Sequence, residues 1–150
     1  MKKLFLDLEG TLIESWHSPV FLSENIELIK FFIKAHKIKE ATLFSMATTN
    51  SKECEEFNKF LKNEIESLLN IKLIVDPFES FIKVIVEKHG LITTSFRDSL
   101  DLFPLNIKEQ VFIEFAKIMG NSGDTFFLFD DLVNNQQVEI NNILISTIKV

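Results

Sequence analysis

Two pairs of acidic residues stand out in this chain, Asp7 with Glu9 and Asp130 with Asp131, each behind an apolar run. The first pair follows Leu4-Phe5-Leu6 and leads at once into Gly10-Thr11-Leu12; the second follows Phe126-Phe127-Leu128-Phe129. Carboxylates are costly to bury without partners, so a buried strand that ends in charge marks a candidate site. In an open parallel sheet, ligands bind at the carboxyl ends of the strands. With both strands central, four carboxylates meet at one sheet edge. Two like charges about 4 Å apart repel by roughly 4 kcal/mol at an effective dielectric near 20. Such a cluster persists by raising its pKa values or by binding a cation. An all-oxygen ligand set suits Mg²⁺, which takes one or two carboxylates together with a phosphate. Either pair alone reads equally well as a cap or a solvated turn; the two together favour a site.

The elements that must position these residues follow from periodicity. Residues 3–8 read as a strand buried on both faces, as in the centre of a parallel sheet. Residues 13–22 form a loop broken by Ser15, Ser18 and Pro19, with Trp16, His17 and Phe21 either pinning it or making a small flap over the strand end. Ser23 stands as a cap before a helix that buries Ile26, Ile29 and Ile33, and His36 near its end suits the negative pole of the helix. Residues 41–45 read as a second strand, and Asn50 with Glu53 as a capping box for a helix to about Leu69 that buries Phe57, Leu61, Ile65 and Leu68. A third strand, 71–75, stops at Asp76-Pro77. Helices over 78–89 and about 107–119 follow, the second burying Val111, Phe112, Phe115 and Met119, with the stretch before it unassigned. The strand before Asp130 and a last one over 143–146 complete a β-α-β-α-β-α-(α)-β-β order. Alternating strands and helices imply a parallel sheet with helices on both faces. One doubly wound α/β domain over 1–150 is expected.

Composition narrows the function classes. A chain of 150 residues is about one domain, and its net charge of −6, with Arg97 the only arginine, argues against general affinity for a nucleic-acid backbone, although a local lysine patch stays open. Cys54 is the only cysteine, so neither an internal disulfide nor a cysteine-rich metal site can form, and it reads as a small buried residue. Nothing approaches the ~20 apolar residues of a membrane span, and the apolar run behind Lys2-Lys3 is too short for a signal peptide. A cytoplasmic protein without a membrane partner is expected.

The two acid motifs resemble those of the haloacid dehalogenase (HAD) superfamily. Asp7-Leu8-Glu9-Gly10-Thr11-Leu12 is similar to its first motif, usually Asp-x-Asp-Gly-Thr-Leu, and Phe129-Asp130-Asp131 with Asn134 or Asn135 is similar to its fourth. The resemblance spans essentially the whole chain and implies a Rossmann-type fold and a Mg²⁺-dependent phosphatase. It makes Asp7 the nucleophile that forms an aspartyl-phosphate. Glu9 becomes general acid and then base, and binds the metal through its carbonyl. Gly10 permits a sharp turn and Thr11 holds the loop. Ser45, with Thr48 as a rival, matches the phosphate-binding hydroxyl of the second motif. Lys108, ahead of Lys83 and Lys117, matches the lysine of the third. Asp130 is then a direct metal ligand and Asp131 a second one, through water or as a structural partner.

Glu9 departs from the family's second aspartate by one methylene. The enolase-phosphatase group shows the same Asp-x-Glu-Gly-Thr start, so the departure bears on rate and leaving-group preference and argues against the metal-free dehalogenases. Only about a dozen residues separate Thr11 from the first helix, and about thirty separate Asp76 from Lys108, too few for a full cap domain. The implied site is open. It suits the exposed phosphate of a large substrate, or a small phosphorylated one covered by a partner subunit. Two alternatives remain, a HAD-like binding or regulatory module without turnover and a receiver-like phosphoacceptor. The latter places its acid pair after the first strand, whereas here the adjacent pair is near residue 130.

Overall fold

The computed structural model describes residues 1–90 and 107–150. The stretch left unassigned by periodicity, with Arg97 and Pro104, lies outside the described residues. The elements run β1 (Lys2–Leu6), α1 (Ser23–His36), β2 (Glu40–Leu43), a 3₁₀ turn (Met46–Thr48), α2 (Ser51–Phe60), α3 (Lys62–Leu69), β3 (Lys72–Ile74), α4 (Phe78–Lys88), α5 (Ile107–Met119), β4 (Thr125–Asp130), β5 (Gln136–Ile140) and β6 (Ile143–Lys149). The six strands form one sheet in the order β3-β2-β1-β4-β6-β5, parallel except for β5 against β6. Among the described residues no helix is long and apolar enough to cross a membrane.

Because side chains alternate along a strand, Leu4 and Leu6 point to one face of β1 and Phe5 to the other. Leu4, Leu6, Ala41, Leu43, Leu73, Phe127 and Phe129 join one apolar cluster with Ile26, Ile29 and Ile33 of α1, Phe57 of α2 and Ile65 of α3. Phe5, Phe126 and Leu128 join another with α4 and α5, through Phe81, Ile85, Val111 and Phe112. Helices therefore cover both faces of the sheet. Phe5 is the centre of the second cluster, with the rings of Phe44, Phe81, Phe112, Phe115 and Phe126 all within 6.4 Å. Phenylalanine supplies that bulk with no hydroxyl to satisfy.

Several boundaries differ from the periodicity reading. Strand β1 stops at Leu6, so Asp7 is the first residue beyond it, although its N–H still bonds the Phe129 carbonyl at 3.0 Å. Ser23 is the first helical residue of α1 rather than its cap, and no side chain caps that end. The helix to Leu69 is two helices that meet at Leu61 (φ −127°), while Asn50 and Glu53 make the expected capping box. The spacing of four runs through Phe57, Leu61 and Ile65 to Leu69, which is buried, so Leu68 is turned outward. Met119 is likewise exposed, at the last turn of α5, and Phe115 is only partly buried.

The polar connection before the last strand is itself a strand, β5. It pairs with β6 through a two-residue turn in which Asn141 (φ 52°) and Asn142 (φ 61°) are both left-handed. Asparagine tolerates that region, and two such residues make the turn that suits a hairpin's twist. An edge strand exposed on one side needs few apolar residues, so Gln136-Gln137-Val138-Glu139-Ile140 carries little hydrophobic signal.

Candidate active site

Strand order reverses direction between β1 and β4, and this is the crevice where an open α/β sheet binds ligands. The two strands are adjacent and parallel with Leu6 opposite Phe129, so Asp7 and Asp130 emerge side by side. Helix α5 brings Lys108 to them from far along the chain. Its Nζ lies 2.5 Å from Asp7 Oδ1 and 2.5 Å from Asp130 Oδ2. Thr11, fully buried in the turn after β1, donates its hydroxyl to Asp7 Oδ2 at 3.2 Å. Asp130 is wholly buried, and its Oδ1 accepts the Leu132 N–H at 2.8 Å, a side-chain turn that aims the carboxylate into the crevice. Asp7, Asp130 and Asp131 each offer an oxygen within 4.8 Å of the others.

The electrostatics are under-compensated. Burial, opposed by the Lys108 ammonium and reinforced by the Asp130 charge, pushes Asp7 up to about 6 from the ordinary 3.8. Burial, then the Asp130 charge, also raises Asp131. One lysine thus stands against three carboxylates, and Asp131 Oδ1 is buried with no hydrogen-bond partner among the described residues. A divalent cation of the hard, oxygen-seeking kind fits this donor set.

Gly10 makes the packing possible. Its φ is +78°, and a Cβ built there would overlap the Asp131 carboxylate. Gly10→Ala should therefore cost at least ~1 kcal/mol of stability from backbone strain alone. By displacing Asp131 it should also weaken any Mg²⁺-induced rise in melting temperature, which a thermal scan with and without the ion would measure.

The remaining sequence candidates lie around this cluster rather than in it. The Glu9 side chain is turned toward the following loop, where Oε2 accepts the Trp16 N–H at 2.7 Å, so its carboxylate stands outside the acid cluster. That loop is pinned by its aromatics: Trp16 stacks on Phe57, and Phe21 packs on the same core while Ile13 pairs with it. Ser45 and Thr48 are both buried at the same sheet edge, in the turn after β2. Ser45 Oγ accepts the Ala47 N–H at 3.1 Å, which leaves its own proton for donation, whereas Thr48 gives its hydroxyl to the Ser45 carbonyl. No hydrogen bond among the described residues joins either to Asp7. Asn134 and Asn135 tie the loop after β4 to β6, through the Thr147 hydroxyl and the Lys149 N–H. Lys83 and Lys117 make ion pairs with helix neighbours instead. The Cys54 thiol, pushed up to about 11 chiefly by burial, is a core residue.

One contributor had no signal in the sequence. Glu109, beside Lys108, is buried and accepts the Gln136 amide at 2.6 Å and the Thr147 hydroxyl at 3.4 Å. It fastens the start of α5 to β5 and β6, and with it the helix turn that carries Lys108. An acid in a helix's first turn reads as ordinary dipole compensation, so only the fold shows what it holds.

No protein-family model, curated protein or solved structure matches the chain.

Proposed function

We propose that the chain is a HAD-like, Mg²⁺-dependent phosphatase that hydrolyses phosphomonoesters through Asp7. The observation that carries this reading is the Asp7 carboxylate at the sheet's switch point, gripped by Lys108 and Thr11 and facing Asp130 and Asp131. A lysine 2.5 Å from the nucleophilic oxygen fits a site that must bring a carboxylate up to an anionic phosphate, since it offsets the charge between them. Asp7 forms a bond to phosphorus as the bond to the leaving oxygen breaks. Glu9, whose Oε2 here accepts the Trp16 N–H, would have to turn from that bond to give the leaving oxygen its proton. Glu9 then takes a proton from water as the water oxygen bonds to phosphorus and Asp7 is released. Mg²⁺, when bound by Asp7, Asp130 and Asp131, would supply charge neutralisation at the phosphoryl oxygens.

The test is turnover of an aryl phosphate by the purified chain with Mg²⁺. Turnover is expected to vanish in EDTA and to return with added metal. Persistence in EDTA after extensive chelation would sink the metal-dependent reading.

The position of Glu9 favours one further reading. With its carboxylate anchored on the Trp16 amide, the fold could serve as a phosphate-responsive binding module. Mg²⁺-dependent binding of beryllofluoride without turnover of any phosphate ester in a broad panel would select it.

A further inference from the structure

The edge of the sheet opposite the acid cluster has the reverse charge. Two adjoining clefts lie there, of about 650 and 560 Å³, sharing Lys37, Ile38 and Lys39. Their walls carry six lysines, at 2, 3, 30, 34, 37 and 39, against the two carboxylates of Glu27 and Glu40. Lys3 is paired with Asp124 and Lys30 with Glu27. Lys2, Lys34, Lys37 and Lys39 have no carboxylate within 4 Å among the described residues, on a chain whose net charge is −6.

Helix chemistry accounts for part of this. Lys34 and His36 sit in the last turn of α1, where cations complement the helix dipole. It does not account for Lys2 on β1 or Lys39 ahead of β2, which the sheet brings beside them. Lys2 Nζ lies 3.1 Å from His36 Nδ1, and burial followed by that charge lowers the His36 pKa. Lys37 takes a left-handed conformation (φ 55°) to turn the chain there. Cations are thus crowded with little internal relief, and an external anion would supply it.

The apolar residues beside the lysines decide which anion. Phe31 is 76% exposed and Leu28 51%, three residues apart on the outer face of α1, and Phe31 forms one wall of the larger cleft. Leu68 at the end of α3 is exposed as well. A nucleic-acid strand would use stacked aromatics in series, and among the described residues lining these clefts Phe31 is the one largely exposed phenyl ring. Aliphatic and aromatic residues that protrude among lysines suit the interface of an anionic bilayer, where the rings and chains enter the headgroup layer and the ammonium groups meet lipid phosphates.

Against the sequence expectation of no membrane partner, we infer that the amino edge of the sheet, with Lys34, Lys37, Lys39 and Lys2 around Phe31 and Leu28, docks the protein on anionic membrane surfaces. The opposite edge, with Asp7 and Asp130, then faces away from the bilayer, which is the orientation that two oppositely charged edges would take. The inference does not depend on the proposed activity.

Co-sedimentation of the full chain with vesicles tests it. Binding is expected to phosphatidylcholine vesicles containing phosphatidylserine, to be absent with phosphatidylcholine alone, and to fall with added salt. Lys34→Glu with Lys37→Glu should weaken binding roughly thirtyfold or more, on the basis of about fivefold per lysine removed. Phe31→Ser should weaken it too, with the circular dichroism of both variants unchanged. Asp7→Asn should bind as the parent does. No binding to anionic vesicles at low salt would overturn the inference. So would equal binding by the lysine variant, or a single-stranded oligonucleotide that binds more tightly than the vesicles and competes them off through the same lysines.

Discussion

Asp7→Asn should abolish phosphatase turnover and at the same time make the metal-free protein more stable above pH 6. The two effects share one cause. Asparagine keeps the shape of the side chain and can still accept from Thr11, but it can neither attack phosphorus nor carry charge. Loss of the proposed nucleophile should lower kcat by about 10⁴-fold or more, the scale seen when a covalent catalyst is removed. On stability, the sign follows from the raised pKa. A carboxyl whose folded pKa lies near 6, against 3.8 unfolded, favours folding fully below pH 3.8, and that contribution is lost as pH rises through 6. The parent should therefore lose up to about 3 kcal/mol across this window that the asparagine variant does not. Urea melts at pH 4 and pH 8, without metal, would measure it: near-equal stability at pH 4 and a more stable variant at pH 8. A variant that is less stable at pH 8 would mean that the Lys108 ion pair outweighs the burial cost. Added Mg²⁺ should stabilise the parent and narrow the gap.

Asp7 and Asp130 were legible in the sequence because an apolar run ending in charge is a strong pattern, and the fold places the two runs side by side. Lys108 was one lysine among three candidates, since nothing local distinguishes a lysine that reaches across the sheet from one that pairs along its own helix. Only the packing of α4 and α5 against β4 separates Lys108 from Lys83 and Lys117. Glu9 was read by its place in a motif, whereas its carboxylate direction depends on the loop that returns Trp16 to it. Strand β5 was missed because hydrophobic alternation is weak in an edge strand, even though Asn141-Asn142 was a turn signal in plain view. Leu68 and Met119 were placed inside by periodicity carried on to helix ends, where the last turn leaves the core.

Lys108→Met separates what the lysine does for the fold from what it does for chemistry. Methionine matches much of the stem and removes the ammonium, so Asp7 and Asp130 face one another within 4.8 Å with no cation between them. At an effective dielectric near 20 that repulsion is about 3 kcal/mol. The metal-free variant should accordingly be less stable than the parent at pH 8, and its deficit should shrink as the pH is lowered and Asp7 takes a proton. Mg²⁺ should raise the melting temperature of Lys108→Met by more than it raises that of the parent, because the ion then relieves a larger repulsion. Turnover should stay low despite this rescue, by about 10²–10³-fold in kcat, the cost of removing one fixed charge that stabilises a transition state. A variant that regained full activity whenever metal restored its stability would make Lys108 a structural counter-ion alone. Stability restored without activity assigns the ammonium to the transferring phosphoryl group, and Lys108→Arg, which keeps the charge but changes the donor geometry, should fall between the two.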